Sequence, residues 1–187
     1  MMMRQVSVEV GKYEDFGSSM LSALKRLEDT ACIKLLKVEK LLLAEVGTVE
    51  QLLSILIDAP VSVDVVKQEE VGKVIEREVN IRKAYSDEIL LNAKSMIKID
   101  ALPEMVVEDI RAKRLGIGSI IAKNKLETFR RIVEVGCCYN SDEPRYSKER
   151  GALTVYRFYN ILYAGVEAFT IREEFRADVI TRLASLK

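Results

Sequence analysis

The sequence contains no histidine, and this absence excludes several kinds of catalytic site. Without an imidazole there is no Ser-His-Asp or Cys-His catalysis, no zinc site built on histidine and no histidine base that titrates near neutrality. Any catalysis must therefore depend on carboxylates, lysine, arginine, tyrosine, cysteine or backbone dipoles.

Cysteine is scarce, and its spacing predicts neither a disulfide framework nor a metal site. Cys32, Cys137 and Cys138 are an odd number of cysteines without a CxxC spacing. Adjacent residues of a strand point to opposite faces, so a strand that holds Cys137 would turn Cys138 away from it. We predict that all three are core thiols and that the protein binds no metal.

The chain also lacks net charge and long apolar runs. Lys plus Arg equals Asp plus Glu at 29 each, so no basic field is present to hold a nucleic acid. Runs such as residues 41–44 are far shorter than the roughly 20 residues of a membrane-spanning helix. Charged residues interrupt residues 1–14, where a signal peptide would have its apolar core. We therefore expect a cytoplasmic protein with no nucleic acid or membrane partner.

The periodicity of the apolar residues predicts an α+β domain over residues 1–187. Helical spacing in residues 18–30 is followed by a helix from Thr48, where Thr48 and Gln51 fit a capping box, and Pro60 ends that helix. Later helices are predicted at 102–113, with Pro103 just inside the start, and after residues 115–118. Strands with a period of two are predicted at residues 61–66, 74–82, 89–99, 128–138, 152–162 and 166–175. We predict one antiparallel sheet of about six strands, with helices covering an internal ligand pocket.

Three strands place a charged residue on an apolar face. Arg77 shares its face with apolar residues, Glu173 does the same in the last strand, and Arg157 shows a weaker break because both faces of its strand are apolar. Arg77 and Glu173 could form a buried ion pair or reach the solvent at the rim. Alternatively, both line a pocket in which the guanidinium binds a ligand carboxylate and the carboxylate handles a proton. Periodicity alone does not decide between these interpretations.

Several segments resemble the chorismate pyruvate-lyase family and its archaeal and bacterial relatives. Their order and spacing agree over most of the chain, with residues 1–40 as an N-terminal helical extension and residues 41–175 as the matched core. The matching segments are residues 41–50, 77–79, 91–97, 101–103, 115–121 and 171–175.

The resemblance implies a fold, a reaction and a set of site residues. The fold is a six-stranded antiparallel sheet whose ligand cavity is closed by two flaps, and the reaction converts chorismate to 4-hydroxybenzoate and pyruvate without metal or organic cofactor. By position, Arg77 grips a ligand carboxylate, Glu173 meets the ring hydroxyl and assists proton movement, and Thr48 and Ile117 hold the ligand through backbone amides. Lys94 stands where relatives often have arginine, either as a second anion contact or as a solvated lysine.

Other functions remain open at this point. The same fold serves as the effector-binding half of transcription regulators of the UTRA group, so a stand-alone module that binds an organic acid without catalysis is the main alternative. Lyase chemistry on another enolpyruvyl or cyclohexadiene acid is a second. The loop of residues 140–151 could be a flap or a solvated loop. Exposed strand edges could pair in a homodimer.

Overall fold

The computed structural model describes residues 3–11, 16–140 and 153–185. This part of the chain forms a single sheet and six α-helices. The strands are β1 (Met3–Glu9), β2 (Val61–Val71), β3 (Val74–Lys83), β4 (Ile89–Lys98), β5 (Thr128–Asn140), β6 (Thr154–Tyr163) and β7 (Val166–Phe175). The helices are α1 (Phe16–Ala31), α2 (Lys37–Ala44), α3 (Val49–Ile57), α4 (Glu104–Arg111), α5 (Ile117–Lys123) and α6 (Ala177–Ala184), and a short 3-10 turn spans Ile99–Ala101.

The sheet has seven strands in the order β1-β5-β6-β7-β4-β3-β2, and every neighbouring pair is antiparallel. The α+β class and the antiparallel sheet are therefore confirmed. The seventh strand is β1, which was not predicted and which pairs with β5, so that Val6 lies opposite Cys137. The N-terminal extension is consequently not only helical.

One face of the sheet is covered by helices and the other is largely exposed. The apolar residues of the covered face form one core with helical residues such as Leu27, Leu42, Leu53 and Ile110. The buried strand residues of this face include Ile75, Ile81, Leu91, Ile97, Val155, Ile161, Phe169, Ile171 and Phe175. Burial of such side chains supplies the main driving force for this arrangement.

The strand order along the chain predicts hairpins between residues 74–82 and 89–99 and between 152–162 and 166–175, and these hairpins and the central helices are close to the observed ones. The link between β3 and β4 is a hairpin as predicted, and β6 and β7 are joined at Ala164 and Gly165, which adopt φ values of 48° and 79°. Pro103 lies one residue before α4 as its N-cap, with ψ of 144°, rather than inside the helix. Helices α2 and α6, each of eight residues, were not predicted.

The cysteine prediction is wrong for Cys32. Cys32 follows the last residue of α1 with a φ of 55°, and this left-handed helix end leaves its thiol exposed. Cys137 is buried and Cys138 half-buried on the opposite face of β5, and burial raises the pKa of the Cys137 thiol to about 12.

Two further predictions concern membrane-spanning helices and metal sites. No helix within the described ranges has the length and apolar character needed to cross a bilayer. The same ranges contain no cluster of three or more cysteine and carboxylate side chains suited to a metal ion. The loop of residues 140–151, predicted as a flap or a solvated loop, lies outside the described residues apart from Asn140, which ends β5.

Candidate functional site

A small cavity lies between the covered face of the sheet and the N-terminal ends of α3 and α5. It measures about 40 Å³, which is room for a few water molecules. Its wall is mainly apolar and includes several charged side chains. The lining residues are Thr48, Val49, Glu50, Val63, Arg77, Val79, Ile81, Ala93, Ser95, Gly116, Ile117, Gly118, Arg130, Tyr159, Ile161, Ile171 and Glu173.

Four of the five predicted site residues line this cavity. Arg77 and Glu173, which are far apart in the sequence, converge there because β3 and β7 flank β4 and turn these residues to the same face. Thr48 and Ile117 reach it from the starts of α3 and α5. The two charged side chains do not pair with each other.

Glu173 is fixed by two neighbours on β6. Arg157 lies directly opposite Glu173 in the strand register, and its Nε donates to Glu173 Oε2 over 2.7 Å. The Tyr159 hydroxyl donates to Glu173 Oε1 over 2.8 Å. Burial and the Glu173 charge raise the pKa of Tyr159 well above its usual range, so the phenol stays protonated and acts as a donor at neutral pH.

Arg157 also connects Glu173 to the segment between α2 and α3. Its Nη1 donates to the Glu45 carbonyl, its Nη2 lies 3.4 Å from Glu45 Oε2, and its guanidinium lies 5.0 Å from the centre of the Tyr159 ring. Burial opposes the charge on Arg157, but the Glu173, Tyr159 and Glu45 groups outweigh this effect and raise the pKa of Arg157. The ion pair between Arg77 and Glu173, which was one interpretation of the sequence, does not form, and Glu173 pairs with Arg157 instead.

Arg77 is buried and has spare hydrogen-bonding capacity. Its Nη2 donates to the Leu115 carbonyl over 2.6 Å, which turns the guanidinium toward the start of α5. Its Nε and Nη1 are buried and have no partner among the described residues. Burial lowers the pKa of Arg77 and the nearby Glu50 carboxylate offsets part of this, but an arginine remains charged. Two buried donors on a fixed cation suit a ligand carboxylate.

Thr48 and Ile117 lie where helices leave amide groups without an intrahelical acceptor. Thr48 is the N-cap of α3, but its hydroxyl makes no capping bond, so the predicted capping box with Gln51 is wrong. The Thr48 methyl group instead approaches Gly118, where an added Cβ would lie 2.9 Å from it. The absence of a side chain at Gly118 therefore allows α5 to approach α3 closely.

Two charged residues of the cavity were not predicted. Glu50 Oε2 accepts a hydrogen bond from Ser119 Oγ over 2.6 Å, and Arg130 Nη1 donates to the Val46 carbonyl over 3.1 Å. Alternation would not have found Arg130. A strict period of two groups Arg131 with Val133 and Val135, and only the bulge between Ile132 and Glu134 brings Arg130 to the covered face. Glu50 has no signal either, since a glutamate in the first turn of a helix is common.

Lys94 is the predicted site residue that the structure does not bring to the cavity. Its neighbours Ala93 and Ser95 line the cavity, and strand alternation therefore turns Lys94 to the opposite face. There its side chain is 65% exposed and its Nζ lies 3.9 Å from Glu78 Oε1. Of the two interpretations of Lys94, the position agrees with the solvated lysine.

Comparison with known protein families adds an independent observation. A family model described as "Chorismate pyruvate-lyase Rv2949c-like" matches residues 42–183. The chain belongs to this Rv2949c-like chorismate pyruvate-lyase family. The match begins close to the predicted boundary at residue 41 and extends beyond residue 175 to include most of α6.

Curated proteins from mycobacteria and from one archaeon are similar to this chain in sequence. The chorismate pyruvate-lyase of Mycobacterium tuberculosis is 25% identical over 175 residues, which cover 82% of this chain and 86% of the relative. The enzyme of the same name from Mycobacterium leprae is 23% identical, with coverage of 75% and 74%. The protein MJ0807 of Methanocaldococcus jannaschii is 31% identical over 147 residues, with coverage of 75% and 79%.

Solved structures give more distant matches. The transcriptional regulator YydK of Bacillus subtilis is 14% identical, with a TM-score of 0.42 and coverage of 90% of this chain and 82% of the regulator. The effector-binding domain of the Bacillus subtilis trehalose repressor is 12% identical, with a TM-score of 0.32 and coverage of 63% and 91%. Both scores lie below 0.5, and no property of the site is inferred from them.

Proposed function

We propose that this protein eliminates pyruvate from chorismate to give 4-hydroxybenzoate. One observation supports this function above all: Arg77, with two unpaired buried donors, faces the same cavity as Glu173, whose carboxylate is oriented by Arg157 and Tyr159. Membership of the chorismate pyruvate-lyase family favours the same reaction.

The side chains present can divide the work between anchoring and proton handling. Nε and Nη1 of Arg77 bind the ring carboxylate of the substrate, and the backbone amides of Thr48 and Ile117 add donors at the helix starts. Glu173 accepts a hydrogen bond from the ring hydroxyl. A carboxylate has about four lone-pair positions, so Glu173 can do this while keeping its bonds from Arg157 and Tyr159.

The reaction itself requires no oxidant or reductant. The ring carbon that bears the hydroxyl loses a proton, the bond from the neighbouring ring carbon to the ether oxygen breaks, and the ring becomes aromatic. The enolpyruvate that leaves takes up a proton and becomes pyruvate. Because aromatisation drives the elimination, orientation of the substrate and stabilisation of charge are the main tasks of the site.

Substrate binding must enlarge the cavity. A volume of about 40 Å³ is well below the roughly 300 Å³ at the lower end of ordinary ligand pockets. The sheet side of the cavity is part of the core, whereas the starts of α3 and α5 form its other wall. We therefore expect the segments around Thr48 and Ile117 to move outward when the ligand binds.

The test is incubation of the purified protein with chorismate, with 4-hydroxybenzoate followed by absorbance and pyruvate by a coupled dehydrogenase. Equal amounts of both products are expected from the unaltered protein, with a large loss of rate in Arg77→Met and Glu173→Gln. Arg131→Met, on the opposite face of β5 from the cavity and paired with Glu167, is the matched control. Tight binding of 4-hydroxybenzoate without turnover would identify a binding module instead. If the protein showed no turnover of chorismate and no binding of 4-hydroxybenzoate, the proposal would be rejected.

A further inference from the structure

We propose that Arg130 is a second carboxylate anchor, which makes the cavity selective for dicarboxylic over monocarboxylic acids. The inference rests on the proposed function in that Arg77 holds the first carboxylate. It assigns a specificity-determining role to a residue for which the sequence resemblance implies none.

Arg130 lies across the cavity from Arg77. Arg130 is on β5 and Arg77 on β3, with β6, β7 and β4 between them in the sheet. In the order of the strands Glu173 of β7 lies between the two arginines, and Ile161, which pairs with Arg130 in the register of β5 and β6, also lines the cavity. A ligand that spans the cavity would contact both guanidiniums.

The guanidinium of Arg130 can accept an additional partner. Its Nη1 donates to the Val46 carbonyl over 3.1 Å, while its Nε is buried without a partner among the described residues. A buried unpaired donor costs free energy, and a carboxylate would remove that cost. The charge of Arg130 also lowers the pKa of Tyr159, in opposition to burial and Glu173, as expected for a cation close to that phenol.

The existing ion pairs and hydrogen bonds of the site leave Arg130 available for an anion. Arg157, Glu173 and Glu45 form one connected group with its own pairing. Of the other charged residues that line the cavity, Arg77 and Arg130 are cations and Glu50 is the anion, and Glu50 already accepts a bond from Ser119. No ion pair joins Arg77 or Arg130 to these carboxylates among the described residues, so each guanidinium is available to bind one carboxylate of a ligand.

Arg130 takes the role that one interpretation gave to Lys94. A second anion contact was one of two interpretations of Lys94, but that side chain lies on the opposite face of the sheet, near Glu78. Arg130 instead supplies a second cation from β5, on the covered face of the sheet.

A matched pair of stable ligands tests the inference without turnover. 4-Methoxybenzoate and 4-(carboxymethoxy)benzoate share a ring, a carboxylate and an ether, and differ in the second carboxylate. Calorimetric titration should show that the unaltered protein binds the dicarboxylate about 10- to 100-fold more tightly, the range expected for one charge-assisted hydrogen-bonded contact. Arg130→Met should reduce this preference to about twofold or less without weakening the monocarboxylate, which a structural role alone would not do.

Two variants make the result specific. Arg131→Met, at the next residue of β5, should keep the full preference, and Arg130→Lys should keep part of it and serves if Arg130→Met does not fold. Equal affinity of the unaltered protein for both acids, equal weakening of both by Arg130→Met, or no binding of either acid would overturn the inference. Turnover of chorismate with an unchanged KM in Arg130→Met would overturn the anchor and leave the proposed lyase intact. If Arg130→Met lost the dicarboxylate preference but the unaltered protein did not turn over chorismate, the anchor role of Arg130 would stand and the proposed lyase activity would be rejected.

Discussion

Arg157 and Glu173 lie opposite each other on adjacent strands, and both are almost completely buried, with 1% and 3% of their surface exposed. The pair is joined by a bond of 2.7 Å from Arg157 Nε to Glu173 Oε2. Because Glu173 obtains its counter-ion from within the sheet, Arg77 is left free to bind a ligand. In this site Arg157 holds the Glu173 carboxylate in place, and a different cation, Arg77, is the one that anchors the ligand acid.

Loss of Arg157 should strongly destabilise the protein. Arg157→Met leaves the buried Glu173 carboxylate without its counter-ion, and removing one partner of a buried pair costs about 3–5 kcal/mol. Urea unfolding followed by circular dichroism measures the difference. The double variant Arg157→Met/Glu173→Gln should recover part of the loss, and the exposed Arg131→Met should cost at most about 1 kcal/mol. Similar stabilities of all three variants would contradict this account.

The sequence predicted that Arg77 and Glu173 face inward but not which residues they pair with. Alternation in β3 and β7 identified Arg77 and Glu173, and both are buried. Their partners depend on strand register, which alternation does not contain. A bulge between Ile161 and Leu162 shifts the pairing of β6 and β7 by one residue, and without it Arg157 would lie opposite Arg172 rather than Glu173.

The family resemblance supplied what periodicity lacked, and it left one position open. It placed Thr48 and Ile117 at the cavity, although their distance in sequence from Arg77 gives no reason to expect contact. It left Lys94 as either an anion contact or a solvated lysine, and the pleat of β4 turns that side chain outward, in agreement with the second. The size of the cavity could not be predicted, because it depends on how closely α3 and α5 approach the sheet.

Removal of the Tyr159 hydroxyl should affect catalysis more than folding. Tyr159→Phe keeps the ring that packs against Arg157 but removes the donor to Glu173 Oε1. We expect kcat for chorismate to fall about tenfold or more, as for loss of a positioned hydrogen bond, and stability to fall by about 1–2 kcal/mol. Steady-state kinetics and urea unfolding measure the two effects. An unchanged kcat would show that the orientation of Glu173 does not depend on this bond.

Neutralising Glu50 should strengthen the binding of acids. Glu50 influences the charge of Arg77 and lines the cavity, so its carboxylate repels an anion bound there. Glu50→Gln retains an acceptor for Ser119 Oγ and should tighten binding of 4-hydroxybenzoate about three- to tenfold, which corresponds to roughly 1 kcal/mol. The control is Glu70→Gln. Glu70 lies on the surface, where its carboxylate is bound to Arg111, and its replacement should leave the affinity for 4-hydroxybenzoate unchanged. Weaker binding in Glu50→Gln would mean that Glu50 contacts the ligand favourably.

Glu28 should make stability depend on pH. Its carboxylate accepts bonds of 2.9 Å from both the Leu35 amide and Lys40 Nζ, which join α1 to the start of α2. Burial raises the pKa of Glu28, but the bonds from Lys40 and Leu35 outweigh this and lower it below the ordinary value of 4.5. The stabilisation is therefore complete above the pKa of the unfolded chain and is lost as the pH falls through the lower pKa of the folded state.

Glu28→Gln measures this contribution directly. At pH 7 the variant should be less stable by about 1–2 kcal/mol, as for hydrogen bonds to a charged group, and the difference should shrink as the pH is lowered from about 5 to 3. Urea unfolding at several pH values provides the curve. A difference that is constant with pH would show that the ionised form of Glu28 contributes nothing specific.

The contact between α5 and α3 should be sensitive to the size of residue 116. A Cβ at Gly116 would collide with the Glu50 carboxylate and lie 3.2 Å from Val63 Cγ2, and both Glu50 and Val63 line the cavity. Since the Glu50 side chain is flexible, Gly116→Ala should displace the carboxylate from Ser119 and narrow the cavity rather than prevent folding. We expect stability to fall by about 1–3 kcal/mol, as for overpacking, and kcat/KM for chorismate to fall by about tenfold or more. Gly11→Ala, where an added Cβ has no neighbour within 4 Å among the described residues, is the control. If Gly116→Ala lowered stability while kcat/KM stayed unchanged, the cavity wall formed by Gly116 and Glu50 would have no part in binding the substrate.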